Sequence, residues 1–513
     1  MKLKPALIFG EHMIFQQNKE IHVWGTSAAG DRVTVTLGNE SVTVQVKEGA
    51  WEAVLSPMEA CFKTSLIISS EKTGEKISFN DVAIGEVWLA GGQSNMEFLM
   101  KFDYDFEETA TLPSDNDLRF FCYPQTAFKG FLETENDCPD WGFWRKWDDA
   151  EDRKMFSAVA TYAGMLLRKK LNVPVGIVGC NWGGTPVAAW TAREDLENNP
   201  KLKKILDWHK EGCEATNWPV YIPASERKAP PKDPKIESFF ERMMMGEDVS
   251  DFFKNFDPAE MLKGDFVPFL PGPRSTVRPS GLYENMLSKV APFGIRGALW
   301  YQGEDDDARD WGDIYDESMK TMVNSWRKLW GYNFPFYQVE LAPFEGVGPT
   351  AAKNYPQIRH MQAKAVSELK DAYDICILDA GEKLNIHPRH KKIVGERLGR
   401  VVLKHTYGDE SLVADCPVAR EASFSKGTVT ISFDNAAEGL LIKGDINGAL
   451  KVTRNGEPLK YEVATDKDLL LIMGIEGNGP VKIEYCEENY CSAVLFNSEG
   501  NPVYGFTFEI KEA

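Results

Sequence analysis

No stretch of the 513-residue chain is apolar and long enough to span a bilayer. Positive charge is not in surplus either, since 77 Asp and Glu stand against 58 Lys and Arg, a formal net charge of -19. Nucleic-acid phosphates and anionic membrane surfaces are repelled by such a balance, so neither is an expected partner, and neutral ligands stay open. Internal repeats and low-complexity tracts are absent. Nine cysteines (Cys61, Cys122, Cys138, Cys180, Cys213, Cys376, Cys416, Cys486, Cys491) are scattered without metal-ligand spacing. They read as free thiols in a reducing compartment, and no metal is expected. Before Glu11 and His12 the N-terminus has lysines but no apolar run of signal-peptide length. That points to a cytoplasmic protein, or to a secreted one from which a leader was removed.

What is present is a folding composition, 43% hydrophobic and 12% aromatic, in a chain long enough for about three domains. Its 14 tryptophans suit sugar-ring stacking, although aromatics fill cores first. From Ile21 to Phe79 short alternating runs such as Arg32-Val33-Thr34-Val35-Thr36-Leu37 predict a β-sandwich over residues 1–82. Continuous apolar strands then appear at Val87–Ala90, Leu118–Cys122, Val175–Gly179, Gly297–Tyr301, Phe334–Leu341 and Ile375–Leu378. They alternate with helical patterns at Ser157–Leu171, Gln357–Leu369 and after Pro388, which predicts an α/β core with a doubly wound parallel sheet over 83–408. Residues 200–280, with Ala229-Pro230-Pro231 and Met243-Met244-Met245, read as an insertion. Alternation returns at Gly427–Phe433, predicting a second β-sandwich over 409–513.

Ligands gather at the carboxyl ends of strands in such sheets, so the residues just beyond them carry the functional reading. Gly91-Gly92-Gln93-Ser94-Asn95 ends an apolar run in a glycine turn able to present Ser94 as a nucleophile, or simply to bend the chain. Gly183-Gly184 lie at a strand-to-helix junction, where unblocked N–H groups suit an oxyanion hole. Gln302-Gly303-Glu304 offers an amide donor and an acid, and Asp305-Asp306-Asp307 extends it, as a solvated loop or a cation site. Among only seven histidines, His387 stands before Pro388 at the mouth of a predicted helix and is the natural base for Ser94, whereas His390 is expected inside that helix.

Taken in order, these motifs resemble the SGNH/GDSL hydrolase superfamily and, within it, the sialate O-acetylesterase family of carbohydrate esterases. The resemblance begins at His12-Met13-Ile14-Phe15-Gln16 and runs through Gly92-Gln93-Ser94-Asn95-Met96-Glu97 and Trp182-Gly183-Gly184-Thr185. It continues at Trp300-Tyr301-Gln302-Gly303-Glu304 and Ile386-His387-Pro388, and closes at Ala493–Gly500. It implies an SGNH-like core flanked by two β-sandwiches, and cofactor-free removal of O-acetyl groups from sugars, most simply acetylated sialic acid, with acetylxylan as an alternative. Ser94 is then the nucleophile and His387 the base, with Ser94, Gly183, Gly184 and Gln302 around the oxyanion. Leu384 stands where many SGNH hydrolases carry an aspartate, so Glu304 is expected to orient His387, ahead of Glu382 and Asp379. Gln93, Asn95, Trp182 and Arg359 are the expected substrate-binding residues. A carbohydrate-binding protein without activity and a cation-dependent phosphoesterase are the competing readings, and the oligomeric state is open.

Overall fold

A computed structural model describes residues 2–128, 140–215, 238, 241–247, 249, 271–272, 274–347 and 351–511. The spine of the molecule is one strand, Lys76–Gly92, whose burial alternates over its first six residues and is continuous from Val82 onward. The change of pattern marks a change of neighbours. The first part pairs antiparallel with Cys61–Ser70, which in turn pairs with Arg32–Leu37 and leaves one face wet. The second part enters a parallel ladder between Val175–Asn181 and Gly297–Tyr301, covered on both faces. A single strand thus crosses the boundary expected between residues 82 and 83.

Across the sheet the order is Trp144–Trp147, Asp115–Cys122, Val175–Asn181, Lys76–Gly92, Gly297–Tyr301, Phe336–Val339 and Ala372–Ile375. All neighbours are parallel except the outermost, Trp144–Trp147. After the central strand the chain first builds on one side and later crosses to the other. A crevice forms at such a switch point, at the carboxyl end of the central strand. Successive side chains point to opposite faces: Val87 and Leu89 join one core with Met319, Val323 and Ile358, while Trp88 and Ala90 join another with Val159, Leu398 and Val402. Helices Tyr315–Trp330 and Tyr355–Glu368 therefore cover one face, and Ala158–Leu171 and Lys391–Tyr407 the other. The latter two pack closely because Gly395 has no side chain; a Cβ there would meet the Val159 carbonyl oxygen at 2.5 Å. Trp88, Trp147, Trp190, Trp300 and Trp326 are fully buried and fill cores.

Beyond residue 409 the chain is mainly β apart from the short 3-10 turn Ile446–Gly448, with the four-stranded sheet Val418–Ser425, Thr428–Asp434, Leu469–Met473 and Glu462–Asp466 and a second one ending in Phe506–Ile510. The fold is mixed α/β. Among the described residues no helix is long and apolar enough to cross a membrane.

Two expectations shift. The last parallel strand is Ala372–Ile375 rather than Ile375–Leu378, because Ile377 and Leu378 are buried as core residues without a ladder partner. The helix after Pro388 starts only at Lys391, so His390 precedes it and packs beside Tyr104, ring centroids 4.5 Å apart. Of the expected insertion, Lys203–Ala215 is a helix, whereas the proline-rich 229–234 segment lies outside the described residues.

Gly92 closes the central strand at φ +133, and a Cβ there would lie 2.2 Å from the Tyr301 carbonyl oxygen. Backbone blocks it, and no rotamer can relieve the clash. Gly92→Ala is therefore expected to destabilise the fold by roughly 2 kcal/mol or more, read as a lower urea midpoint.

Candidate active site

Ser94 opens a one-turn helix, Ser94–Glu97, directly after the Gly92 turn. Gln93 fixes that turn: its N–H donates to the Tyr301 carbonyl at 3.1 Å, and its Oε1 accepts from the Asp305 N–H at 3.3 Å. The expected substrate residue Gln93 is thus a tie between two loops. Ser94 keeps 9% of its surface exposed and His387 4%, so both are largely shielded from solvent. Their contact is direct, with His387 Nε2 2.7 Å from Ser94 Oγ.

The histidine loop is held by its own side chains. Asn385 Oδ1 accepts from the His387 N–H at 3.0 Å and its Nδ2 donates to the His387 carbonyl at 2.9 Å. Glu382 accepts from the Arg389 N–H at 2.7 Å, and Asp103 accepts from the Lys391 N–H at 2.9 Å.

Among the described residues no carboxylate is bonded to the imidazole. Glu304, expected to orient it, accepts instead from Asn95 Nδ2 at 2.5 Å. Asp379 forms a two-point pair with Arg397, and His387 Nδ1 is buried with no partner among the described residues. Leu384, in the position where an aspartate was sought, is 68% exposed.

Two expected oxyanion donors are also committed elsewhere. The Gly183 N–H donates to the half-buried Glu97 carboxylate at 2.8 Å. Both Gln302 amide protons are used, on the Thr185 carbonyl at 3.1 Å and on Asp306 Oδ2 at 2.6 Å. The Ser94 and Gly184 N–H groups donate to nothing among the described residues. Gly183 still matters sterically, since a Cβ there would sit 3.1 Å from Ser94 Cβ. Trp182 is half-buried on the same loop. Asn95 is buried and fully engaged with protein groups. Arg359 lies elsewhere: it is buried on the helix Tyr355–Glu368 and donates to the carbonyls of Cys486 and Glu488, holding the C-terminal strands to the core.

The acidic run has protein partners throughout. Asp305 pairs with Arg309, Asp306 accepts from the Val187 N–H and Gln302, and Asp307 accepts from the Lys353 and Asn354 N–H groups. Among the described residues no three His, Cys, Asp or Glu side chains gather as a metal site.

Burial governs the titrations. It pushes His387 from 6.5 down to about 3, helped by the nearby Lys391 charge. Burial also raises Glu97 and Glu304, against the hydrogen bonds each accepts. Asp306 rises to about 7 through burial and then its neighbour Asp305, and Lys391 falls to about 7 through burial, opposed by Glu304, Asp103 and Glu382. The imidazole is neutral at rest, which a general base must be.

The sequence assigned no role to Lys391 or Glu97, and it marked Asp306 only as part of an acidic run read as a solvated loop or a cation site. Lys391 follows His387 by four residues, and a lysine at the buried start of an otherwise amphipathic helix is the signal that could have flagged it. Glu97, three residues after Ser94, gave no such sign.

Residues 272–403 match the family model described as "Carbohydrate esterase, sialic acid-specific acetylesterase". Rat (Rattus norvegicus) sialate O-acetylesterase is 25% identical over 446 residues, covering 78% of this chain and 72% of the relative. The human (Homo sapiens) sialate O-acetylesterase is 23% identical over 451 residues, covering 80% and 72%. A crystal structure of a carbohydrate acetylesterase from Xanthomonas citri (XAC1771) superposes with a TM-score of 0.74 at 24% identity, over 98% of this chain and 99% of that one, and so shares the fold. The family resemblance read from the motifs is borne out.

Proposed function

We propose that this chain, similar over about four fifths of its length to sialate O-acetylesterases, is a carboxylic ester hydrolase that removes O-acetyl groups from acetylated carbohydrates. The observation that carries the proposal is the 2.7 Å contact between Ser94 Oγ and His387 Nε2 at the carboxyl end of the central strand. The core is read as SGNH-like over residues 83–408, between β-sandwiches spanning 1–82 and 409–513.

Ser94 Oγ attacks the acetyl carbonyl as His387 Nε2 takes its proton, and the tetrahedral oxyanion forms against the Ser94 and Gly184 N–H groups. At rest the buried imidazole resists protonation. The oxyanion created beside it supplies the negative charge that stabilises the imidazolium, so the two charges arise together. His387 then returns the proton to the departing sugar oxygen, leaving an acetyl-serine. Water, activated by the same imidazole, attacks that ester and releases acetate and free Ser94.

The test is acetate release from O-acetylated sialic acid and from acetylated xylo-oligosaccharides, assayed side by side. Turnover of the sialic acid ester supports the sialate reading, and turnover of only the xylan ester moves the substrate to the alternative. Binding of either sugar with no acetate released overturns the esterase proposal.

A further inference from the structure

We propose that Lys391 and Glu304 act through Asn95 as positioning residues that hold His387 against Ser94, in place of a carboxylate bonded to the imidazole. The inference rests on the Ser94 and His387 roles given above. Its core is the engagement of one side chain. Asn95 Oδ1 accepts from Lys391 Nζ at 2.5 Å, while Asn95 Nδ2 donates to Glu304 Oε1 at 2.5 Å and to the Ile386 carbonyl at 3.0 Å.

Donor and acceptor chemistry sets that amide in one orientation. A charged Lys391 can only donate and an ionised Glu304 can only accept, so flipping the amide would oppose donor to donor at one end and acceptor to acceptor at the other. With the flip forbidden, the second Nδ2 proton is aimed at Ile386. Asn95 is the residue after the nucleophile, and Ile386 is the residue before the base. One hydrogen bond therefore joins the two loops whose register sets the 2.7 Å contact of Ser94 and His387.

The imidazole needs such support because its Nδ1 meets no partner among the described residues. Its ring is placed by the backbone that carries it. Lys391 is suited to the task by its own confinement: it is fully buried, its Nζ lies 4.8 Å over the Phe98 ring and 5.3 Å over Tyr301, and its N–H is held by Asp103. A lysine so enclosed points its charge at one place. Deep burial of a cation is costly unless it is paired, and Asn95 with Glu304 beyond it provides the pairing.

The test compares Glu304→Gln, Glu304→Leu, Lys391→Met and the Glu304→Leu/Lys391→Met pair, in the full chain, on p-nitrophenyl acetate. Glutamine keeps a carbonyl that can accept from Asn95, whereas leucine keeps nothing. Glu304→Leu and Lys391→Met are each expected to lower kcat about 100-fold with KM within about threefold of the parent, because misplacing a base by about 1 Å has that cost. Glu304→Gln should lose only about 3- to 10-fold. The double variant should fall little further than either single one, since both break the same tether. Labelling of Ser94 by a fluorophosphonate should slow in step with kcat.

The proposal is overturned if Glu304→Gln falls as far as Glu304→Leu, which marks a carboxylate acting on the imidazole itself. It is equally overturned if kcat of Lys391→Met stays within twofold of the parent. Should Lys391→Met fail to fold, the contrast between the two Glu304 variants decides alone. Failure of the underlying esterase reading would look different, with turnover surviving in Ser94→Ala.

Discussion

Ser94→Ala is expected to reduce kcat/KM on acetyl esters by roughly 10⁴-fold or more while leaving the fold intact. The substitution removes one oxygen and adds nothing, at a position buried against the Gly183 loop, so the backbone has no reason to move. What remains has N–H donors and a base but no group to form the acyl-enzyme. Residual turnover should then show no burst, and mass spectrometry after fluorophosphonate treatment should find the adduct on the parent protein and none on the variant. An adduct on another residue, or near-parental turnover, would remove Ser94 from the mechanism.

The second large effect belongs to His387. His387→Ala is expected to cost a similar factor, roughly 10³- to 10⁴-fold, because a serine hydroxyl without a base is a poor nucleophile. The pH profile adds an independent check. With burial and the Lys391 charge holding the imidazole near 3, the neutral form needed for catalysis persists far below the ordinary value of 6.5. For the parent protein, kcat/KM should stay nearly level between pH 7 and pH 5, where an ordinary imidazole would lose roughly 20- to 30-fold. An acid limb centred near 6.5 would show that His387 is far better solvated than its 4% exposure implies.

The sequence alone pointed to Ser94 and His387 as a pair, and the two lie 2.7 Å apart. An apolar run that stops at two glycines and a histidine set before a proline are local patterns, and each element can be read within a dozen residues. The network behind them was not local. Glu97 holds the Gly183 N–H across 86 residues, Gln302 reaches Thr185 across 117, and Asn95 reaches Glu304 across 209. Gly183 and Gln302 have the right chemistry for an oxyanion hole, and nothing in their neighbourhood in the sequence reveals that their protons are already engaged. Arg359 illustrates the same limit, its guanidinium reaching carbonyls some 127 residues away. Strand positions failed for a related reason: the run Ile375–Leu378 reports burial, and burial alone does not distinguish a ladder from a packed loop.

The strand Lys76–Gly92 bears on how the protein can be taken apart. Its front half is edged by the N-terminal ladder, and its back half is the centre of the parallel sheet that ends in the nucleophile turn. A cut at residue 82 would leave a frayed ribbon on each side rather than two closed modules. The N-terminal segment is therefore no detachable cassette to be swapped between enzymes. A force that pulls it from the core would load, in shear, the hydrogen bonds that keep Ser94 in place.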